Sequence, residues 1–488
     1  GSESKNQWGI VLMKVLFVVS EVEDLVKTGG LADVAKALPI ALTDMGHEVC
    51  IVMPYYKLLA EQHPGEDCAE PQTLFASRKP YDFTIKRLQV GNVPVYALDY
   101  PAYFDRDGLY SDSYHAYPDN AERFAFFAQG ALQIAKALDF QPDIVHCNDW
   151  HTALTPYFMS IDDTGFFDRS RSVFTIHNGA YQGTHRFSDI PFLQPHYLLH
   201  SQLDGDALNF VRMGIRYAHK INAVSPNYAQ ELLSPLGSHH LYHEFQQRRS
   251  DLSGILNGCD YTQWDPINDP HIIQTYTADD MSGKAKCKVD LQKEAQLPED
   301  LSIPLVGMVC RLTEQKGFGY ILPMLEQLMQ HNVQLVIIGT GDPQISHTLR
   351  GVAERHPDKF AFIEAFSVQK AHMLEAGSDF FLMPSLFEPC GLNQMYSLAF
   401  GTLPIVRGVG GLKDTVIDLA DDPQQATGFV FEHPDSEALL ACIQRALLFF
   451  HEYPEQFIIT QNRAMQSRFT WQHAAEQYLA LYHGALGG

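Results

Sequence analysis

KVLFVVSEVEDLVKTGGLADVAKAL, residues 14–38, reads as one strand–turn–helix unit and sets the reading of the whole chain. The run 14–20 is apolar on both faces, as expected of a strand inside a parallel sheet covered by helices. The one N-terminal stretch that could be a signal, 10–19, is well short of the roughly 20 residues needed to span a bilayer, and Lys14 interrupts it. Acidic Glu21, Glu23 and Asp24 follow with no small-residue cleavage site, so it is read as a first strand and not as a signal segment. Gly1 and Ser2 read as a vector-derived scar, with native sequence expected from Met13. Paired Gly29 and Gly30 then open an amphipathic stretch over 31–45.

The same alternation runs outward from this unit. Residues 48–53, 143–147, 173–177 and 220–224 are further strand candidates, with helical patterns over 120–138 and 207–219 between them. It restarts after Asn257, with strands expected at 305–310, 333–338, 360–363, 380–383 and 403–406. Alternating strands and helices predict an α/β fold of two doubly wound, Rossmann-like domains. The domains are expected at 14–257 and 271–456. The Gly-, Asp-, Asn- and Pro-rich stretch 258–270 reads as a linker, and 457–488 as a helical segment free to return to the first domain. Ligands of such sheets sit outside the carboxyl ends of the strands.

With 488 residues, 45% hydrophobic and 19% charged, the chain has material for two large cores. A net charge of −23 disfavours nucleic acid and anionic membranes as partners. Eight scattered cysteines without a CxxC pair point to a reducing compartment, so a cytoplasmic location is expected. No ligand spacing for a metal is present, and none is expected: Asp149, His151 and His177 lack an HExxH-like arrangement.

The unusual residues fall just after strands. Lys27 with Gly29 and Gly30 suits an anion at a helix start, though a tight turn with a solvated lysine reads equally well. Arg311 and Lys316 follow the first strand of the second half, where two cations could clamp a diphosphate and stabilise a departing nucleotide. The alternative is an ion-paired arginine and a solvated lysine. Glu388 is placed where the free N–H groups of a helix point outward, beside Cys390, Gly391, Leu392 and Asn393. Asp149 with Trp150, and His177 with Tyr181, combine polar groups and rings as sugar binding requires. The aromatic loop 100–117 is either a packed flap or a stacking surface for glucan. Val336–Asp342 (VIIGTGD) begins like a dinucleotide fingerprint but lacks the next required glycine, which disfavours a nicotinamide enzyme.

Together KTGGLADV, VHCNDWHTAL, FTIHNGAYQG, INAVSPNYAQE, GILNGCD, CRLTEQKG, FEPCGLNQMY and GGLKDTV occur in the order seen in bacterial glycogen synthases and plant starch synthases. The chain resembles that family from about Lys14 to its end. The resemblance implies a GT-B fold with domains that close over ADP-glucose, and retaining transfer of glucose to the 4-hydroxyl of an α-1,4-glucan without a metal. It further implies that Lys27, Gly29 and Gly30 contact the donor and that Arg311 and Lys316 hold its diphosphate. Glu388 matches the essential acid, and Cys390, Gly391 and Leu392 the loop against glucose and phosphate. Asp149, His177 and Asn257 match polar residues around the glucose, flanked by Trp150 and Tyr181. Phe362 stands where relatives carry a tyrosine near the base, Tyr396 takes the second acidic position of an E-x7-E pattern, and Ser238-His239-His240 departs from the family. The rival readings are a UDP-sugar enzyme of the same fold and a glucan-binding protein without turnover.

Overall fold

The computed structural model describes residues 4–5 and 9–487, and the expected scar at Gly1 and Ser2 lies outside them. The chain divides into two compact units. The first runs up to Val224, takes in Ala229–Ile255 and is completed by the C-terminal helix from Trp471; the second holds Ser225–Tyr228 and Leu256–Thr470.

The first unit is built on a ten-stranded sheet. Its parallel part runs Leu252–Gly254, Lys220–Ala223, Arg171–Ile176, Ile144–Asn148, Lys14–Val18, Glu48–Pro54 and Val93–Asp99. Beyond it, Lys79–Val90 pairs antiparallel with Val93–Asp99 and with Gln72–Ala76. Those edge strands escape the βα reading because residues 72–99 alternate inward and outward positions, with one face solvated. Along the parallel part, chain order reverses between Lys14–Val18 and Ile144–Asn148.

The second unit has six strands, all parallel, in the order Phe360–Ile363, Gln334–Ile338, Leu305–Val309, Phe380–Met383, Leu403–Arg407 and Phe429–Phe431. Apart from Gln334 and Arg407 at strand ends, its strands are apolar because both faces are buried. Val306, Leu335, Ile337, Phe380 and Leu382 enter one core, while Leu305, Val336, Ile338, Phe381 and Met383 enter the other. The order here reverses between Leu305–Val309 and Phe380–Met383. The glycines of VIIGTGD serve this packing. A Cβ at Gly339 would lie 2.1 Å from the Cys310 carbonyl oxygen, and one at Gly341 2.6 Å from that of Leu312.

Two boundaries differ from expectation. Residues 258–270 are packed onto the second unit. The Trp264 ring stacks between His372, at 3.7 Å and 10°, and Tyr396, at 4.1 Å and 6°. Asp269 meets His372 Nδ1 at 2.6 Å, and Arg468 lies 3.8 Å over the Tyr261 ring. A turn-rich composition concealed three aromatic and charged anchors. The stack also explains Tyr396 in the E-x7-E position: its ring secures the helix Asn393–Ala399 against Trp264. The second difference is that Pro454–Gln466 stays in the second unit, and only the helix Trp471–Gly487 joins the first. There it packs on the helix Gly30–Asp44 and the strands Arg171–Ile176 and Lys220–Ala223.

Trp264→Ala removes the centre of the stack from a half-buried site. It is expected to destabilise the second unit by roughly 2–4 kcal/mol, below the full-burial range for a lost tryptophan. Urea unfolding followed by circular dichroism checks this.

Candidate active site

Both reversals in strand order coincide with the candidate residues, where the loops leave adjacent strands in opposite directions. In the first unit, the strand Lys14–Val18 leads into the glycine loop and Ile144–Asn148 into Asp149. Gly29 caps and Gly30 begins the helix Gly30–Asp44. A Cβ at either glycine would meet nothing within 4 Å, so packing does not demand them and the space above stays open.

The loop is held from below by a residue to which the sequence reading assigned no role. The buried Glu21 carboxylate accepts from Thr28 N at 3.2 Å, Thr28 Oγ1 at 2.6 Å and Gly29 N at 3.0 Å. Tyr110 donates its hydroxyl to Glu21 Oε2 at 2.7 Å, so Ser20 Oγ donates to Tyr110 at 2.7 Å. The Gly29 N–H expected to face a ligand is therefore already engaged by Glu21. Lys27 Nζ lies 2.6 Å from Asp33 Oδ1 and is half exposed. Burial, reinforced by the neighbouring Asp33 carboxyl, pushes Glu23 up to about 7.

Tyr110 belongs to the aromatic loop 100–117, which is mainly packed. Fully buried Arg123 fixes it by donating Nε to the Tyr103 carbonyl at 2.6 Å and Nη1 to that of Leu109 at 3.0 Å. Tyr114 is the outward ring, 88% exposed.

Asp149 has φ 58° and ψ −174°, a region otherwise left to glycine, at a conformational cost of about 1–3 kcal/mol. Its neighbours hold it there. Asp149 N donates to the Thr175 carbonyl at 3.0 Å, and Oδ1 accepts from His177 N at 2.7 Å and Asn178 N at 3.4 Å. Burial raises the Asp149 carboxyl to about 7 against the pull of those two N–H groups. Burial pushes His177 down to about 3, so its ring is neutral. Asn148 Nδ2 donates to the Val18 carbonyl, which aims Oδ1 at His177. The 2.9 Å contact is thus His177 Nε2–H donating to Asn148, and Nδ1 keeps a lone pair for a ligand hydroxyl.

Trp150 departs from the expected sugar contact. Its ring is 9% exposed, packed on His151, Phe124 and Phe210 and against Gly183, where a Cβ would lie 2.5 Å from Cε3. Tyr181, 67% exposed, has the open ring.

In the second unit, Lys316 and Glu388 come together. Lys316 Nζ donates to Glu388 Oε2 at 3.1 Å, and Ser385 Oγ donates to the same oxygen at 3.1 Å. Glu388 differs from expectation: the helix begins at Asn393, and the carboxylate is held by Lys316 and Ser385, not by helix N–H groups. Arg311 is exposed and makes no ion pair among the described residues. Gly317, at φ 92°, turns the chain from Lys316 into the helix Phe318–Leu328; a Cβ there would lie 2.2 Å from the Pro384 carbonyl oxygen.

The loop from Glu388 to Asn393 lies flush against the start of the helix Gly410–Thr415. A Cβ at Gly410 would sit 1.8 Å from the Glu388 carbonyl oxygen, and one at Gly411 2.2 Å from that of Cys390. Gln394 clamps the turn, donating Nε2 to the carbonyls of Cys390 and Gly391 and to Thr415 Oγ1. Asn393 Nδ2 donates to the Val309 carbonyl, and Leu392 is half-buried. The backbone N–H of Asn257 reaches the Cys390 thiol, which burial raises to about 12. Phe362 packs against the core with part of its surface open, while Phe366 in the next loop is 88% exposed. Among the described residues no group of three or more metal-ligating side chains is present, and no helix is long and apolar enough to cross a membrane.

Two Rossmann-type sheets with polar residues gathered at each reversal are the architecture expected of a GT-B glycosyltransferase, and the comparisons with known proteins agree. A family model described as the starch synthase catalytic domain matches residues 14–247, and one described as glycosyl transferases group 1 matches 290–458. The glycogen synthase of Photobacterium profundum is 50% identical over 482 residues, covering 97% of this chain and 94% of that one. The chain belongs to the glycogen and starch synthase family of retaining glycosyltransferases. A glycogen synthase of Aeromonas salmonicida is 49% identical, covering 97% and 98% of the two chains. The catalytic domain of starch synthase IV from Arabidopsis thaliana, solved with ADP and acarbose, superposes with a TM-score of 0.84 at 30% identity over 98% of this chain and 100% of that one. Sucrose-phosphate synthase from Thermosynechococcus elongatus, at 17% identity and a TM-score of 0.57, shares the fold.

Asp149 gives a pH signature. Its carboxyl ionises near 7 in the folded protein and near 3.8 when unperturbed, so the folded state holds more protons between those values. Stability therefore falls as pH rises through that window, by up to about 4 kcal/mol. Urea titrations at pH 4.5 and 7.5 are expected to show this loss in the wild type relative to Asp149→Asn.

Proposed function

We propose that the chain transfers glucose from ADP-glucose to the non-reducing-end 4-hydroxyl of an α-1,4-glucan, with retention, and releases ADP. The observation that carries this reading is the Lys316–Glu388 contact at 3.1 Å, set at the strand-order reversal of the second unit. A cation there offsets charge that develops on the departing diphosphate, and an acid beside it receives sugar hydroxyls. The relatives named glycogen synthase and the starch synthase solved with ADP and acarbose support the substrate pair.

In this reading Arg311 and Lys316 hold the diphosphate, and Glu388 with the backbone of Cys390, Gly391 and Leu392 orients the glucose. Lys27 and the open faces of Gly29 and Gly30 meet the donor from the first unit's loop. His177 Nδ1 accepts a sugar hydroxyl, Asp149 and Asn257 lie around the glucose, and Tyr181 offers a ring to the acceptor. The acceptor 4-hydroxyl attacks the anomeric carbon as the bond to phosphate breaks. Its proton passes to the leaving phosphate, so no protein nucleophile is required. Turnover proceeds without a metal, and the protein works in the cytoplasm.

Initial rates of glucose transfer to glycogen and maltotriose, from ADP-glucose and from UDP-glucose without added metal, test the proposal. Chain extension from ADP-glucose at a rate well above that from UDP-glucose is expected. Transfer from UDP-glucose alone would overturn the donor assignment, and transfer from neither would favour glucan binding without turnover.

A further inference from the structure

The C-terminal helix meets the first unit through a buried polar chain that the mechanism above does not use. Tyr482 OH lies 2.6 Å from His146 Nδ1, and His146 Nε2 lies 2.7 Å from Thr175 Oγ1. Thr175 Oγ1 donates to Asn222 Oδ1 at 2.6 Å, and Asn222 Nδ2 donates to Tyr478 OH at 3.1 Å. All five side chains are fully buried. Tyr478 and Tyr482 stand four positions apart, on one face of their helix. Asn148 pairs with Thr175, and Thr175 with Asn222, across adjacent strands, so these residues share one face of the sheet.

The chain has a direction. Thr175 gives its only proton to Asn222, so toward His146 it can only accept, and His146 Nε2 must carry hydrogen. With Nε2 protonated, a neutral imidazole accepts at Nδ1, and Tyr482 is the donor. Burial, which pushes His146 down to about 3, keeps that imidazole neutral. Protons therefore point from Tyr482 through His146 and Thr175 to Asn222 and on to Tyr478. Removing the Tyr482 hydroxyl leaves a dry Nδ1 acceptor unsatisfied and the ring held at one nitrogen only, through Nε2–H to Thr175.

His146 stands three residues before Asp149 and Thr175 two before His177. The Thr175 carbonyl receives Asp149 N–H, and Asn148 beside it receives His177 Nε2–H. We infer that Tyr482 and His146 are positioning residues. Through one fixed tautomer, the C-terminal helix sets the strand ends that hold Asp149 in its strained conformation and His177 in register. This rests on the reading of Asp149 and His177 as residues of the glucose site.

The test has two parts. In the wild type, 15N-labelled histidine NMR is expected to show the resonance lost in His146→Gln as the Nε2–H tautomer. Tyr482→Phe is then expected to lower kcat about tenfold at saturating substrates, while the donor KM stays within about twofold, as misplacement at the reacting centre requires. Tyr478→Phe, which removes the acceptor of Asn222 Nδ2 and leaves both bonds of His146 in place, is expected to keep most of the kcat. An Nδ1–H tautomer in the wild type overturns the proposal, whether or not Tyr482→Phe folds. So does a folded Tyr482→Phe with full kcat, or equal losses in both tyrosine variants. The tautomer is read without turnover, so a protein inactive on ADP-glucose would sink the donor reading and leave this measurement standing.

Discussion

A parallel strand covered by helices on both faces has only its ends in reach of a ligand, and the rest of this protein follows from that constraint. Apart from Gln334 and Arg407 at strand ends, every strand of the second sheet is apolar on both sides, so polar chemistry is confined to the loops. Where chain order reverses, two neighbouring loops diverge and leave room between them. The reversals fall beside Lys14–Val18 and Ile144–Asn148 in one unit, and beside Leu305–Val309 and Phe380–Met383 in the other. Those four strands carry the glycine loop, Asp149, the Arg311–Lys316 turn and Glu388.

Within these loops, backbone proximity and not side-chain bulk sets the geometry. Gly410 and Gly411 lie so close to the carbonyls of Glu388 and Cys390 that no side chain fits, and this contact fixes the loop on which the donor glucose would rest. Gly29 and Gly30 are the opposite case, with open space where a Cβ would be. One pair of glycines serves the fold, the other leaves access. Asp149 stores backbone strain, and the N–H groups of His177 and Asn178 with the Thr175 carbonyl retain it.

Much of this was legible in the sequence. Apolar runs at 14–20 and 305–310 announced buried strands, and the glycine and charged motifs after them marked the loops. The edge strands over 72–99 were not, because their half-solvated alternation lacks the helices that punctuate the rest. Composition misled at 258–270, where Trp264 and Tyr261 outweigh the turn formers around them. Trp150 shows the limit of reading a ring as a sugar platform, since burial is a tertiary property. Glu21 escaped because its partners, Thr28 and Tyr110, are separated from it by 7 and 89 positions. The tyrosines that anchor the C-terminal helix lie 336 and 256 positions from His146 and Asn222.

Under the proposed function, Lys316 serves the nucleotide phosphates and Glu388 the sugar. Calorimetric titration of ADP into the wild type, Lys316→Ala and Glu388→Gln tests it directly, because ADP carries the phosphates and lacks the glucose. Lys316→Ala is expected to weaken ADP binding by about tenfold or more, as loss of a charge-assisted hydrogen bond requires. Glu388→Gln should leave ADP binding unchanged or tighter while turnover is lost. Unchanged ADP affinity in Lys316→Ala, or weakened affinity in Glu388→Gln, would contradict it.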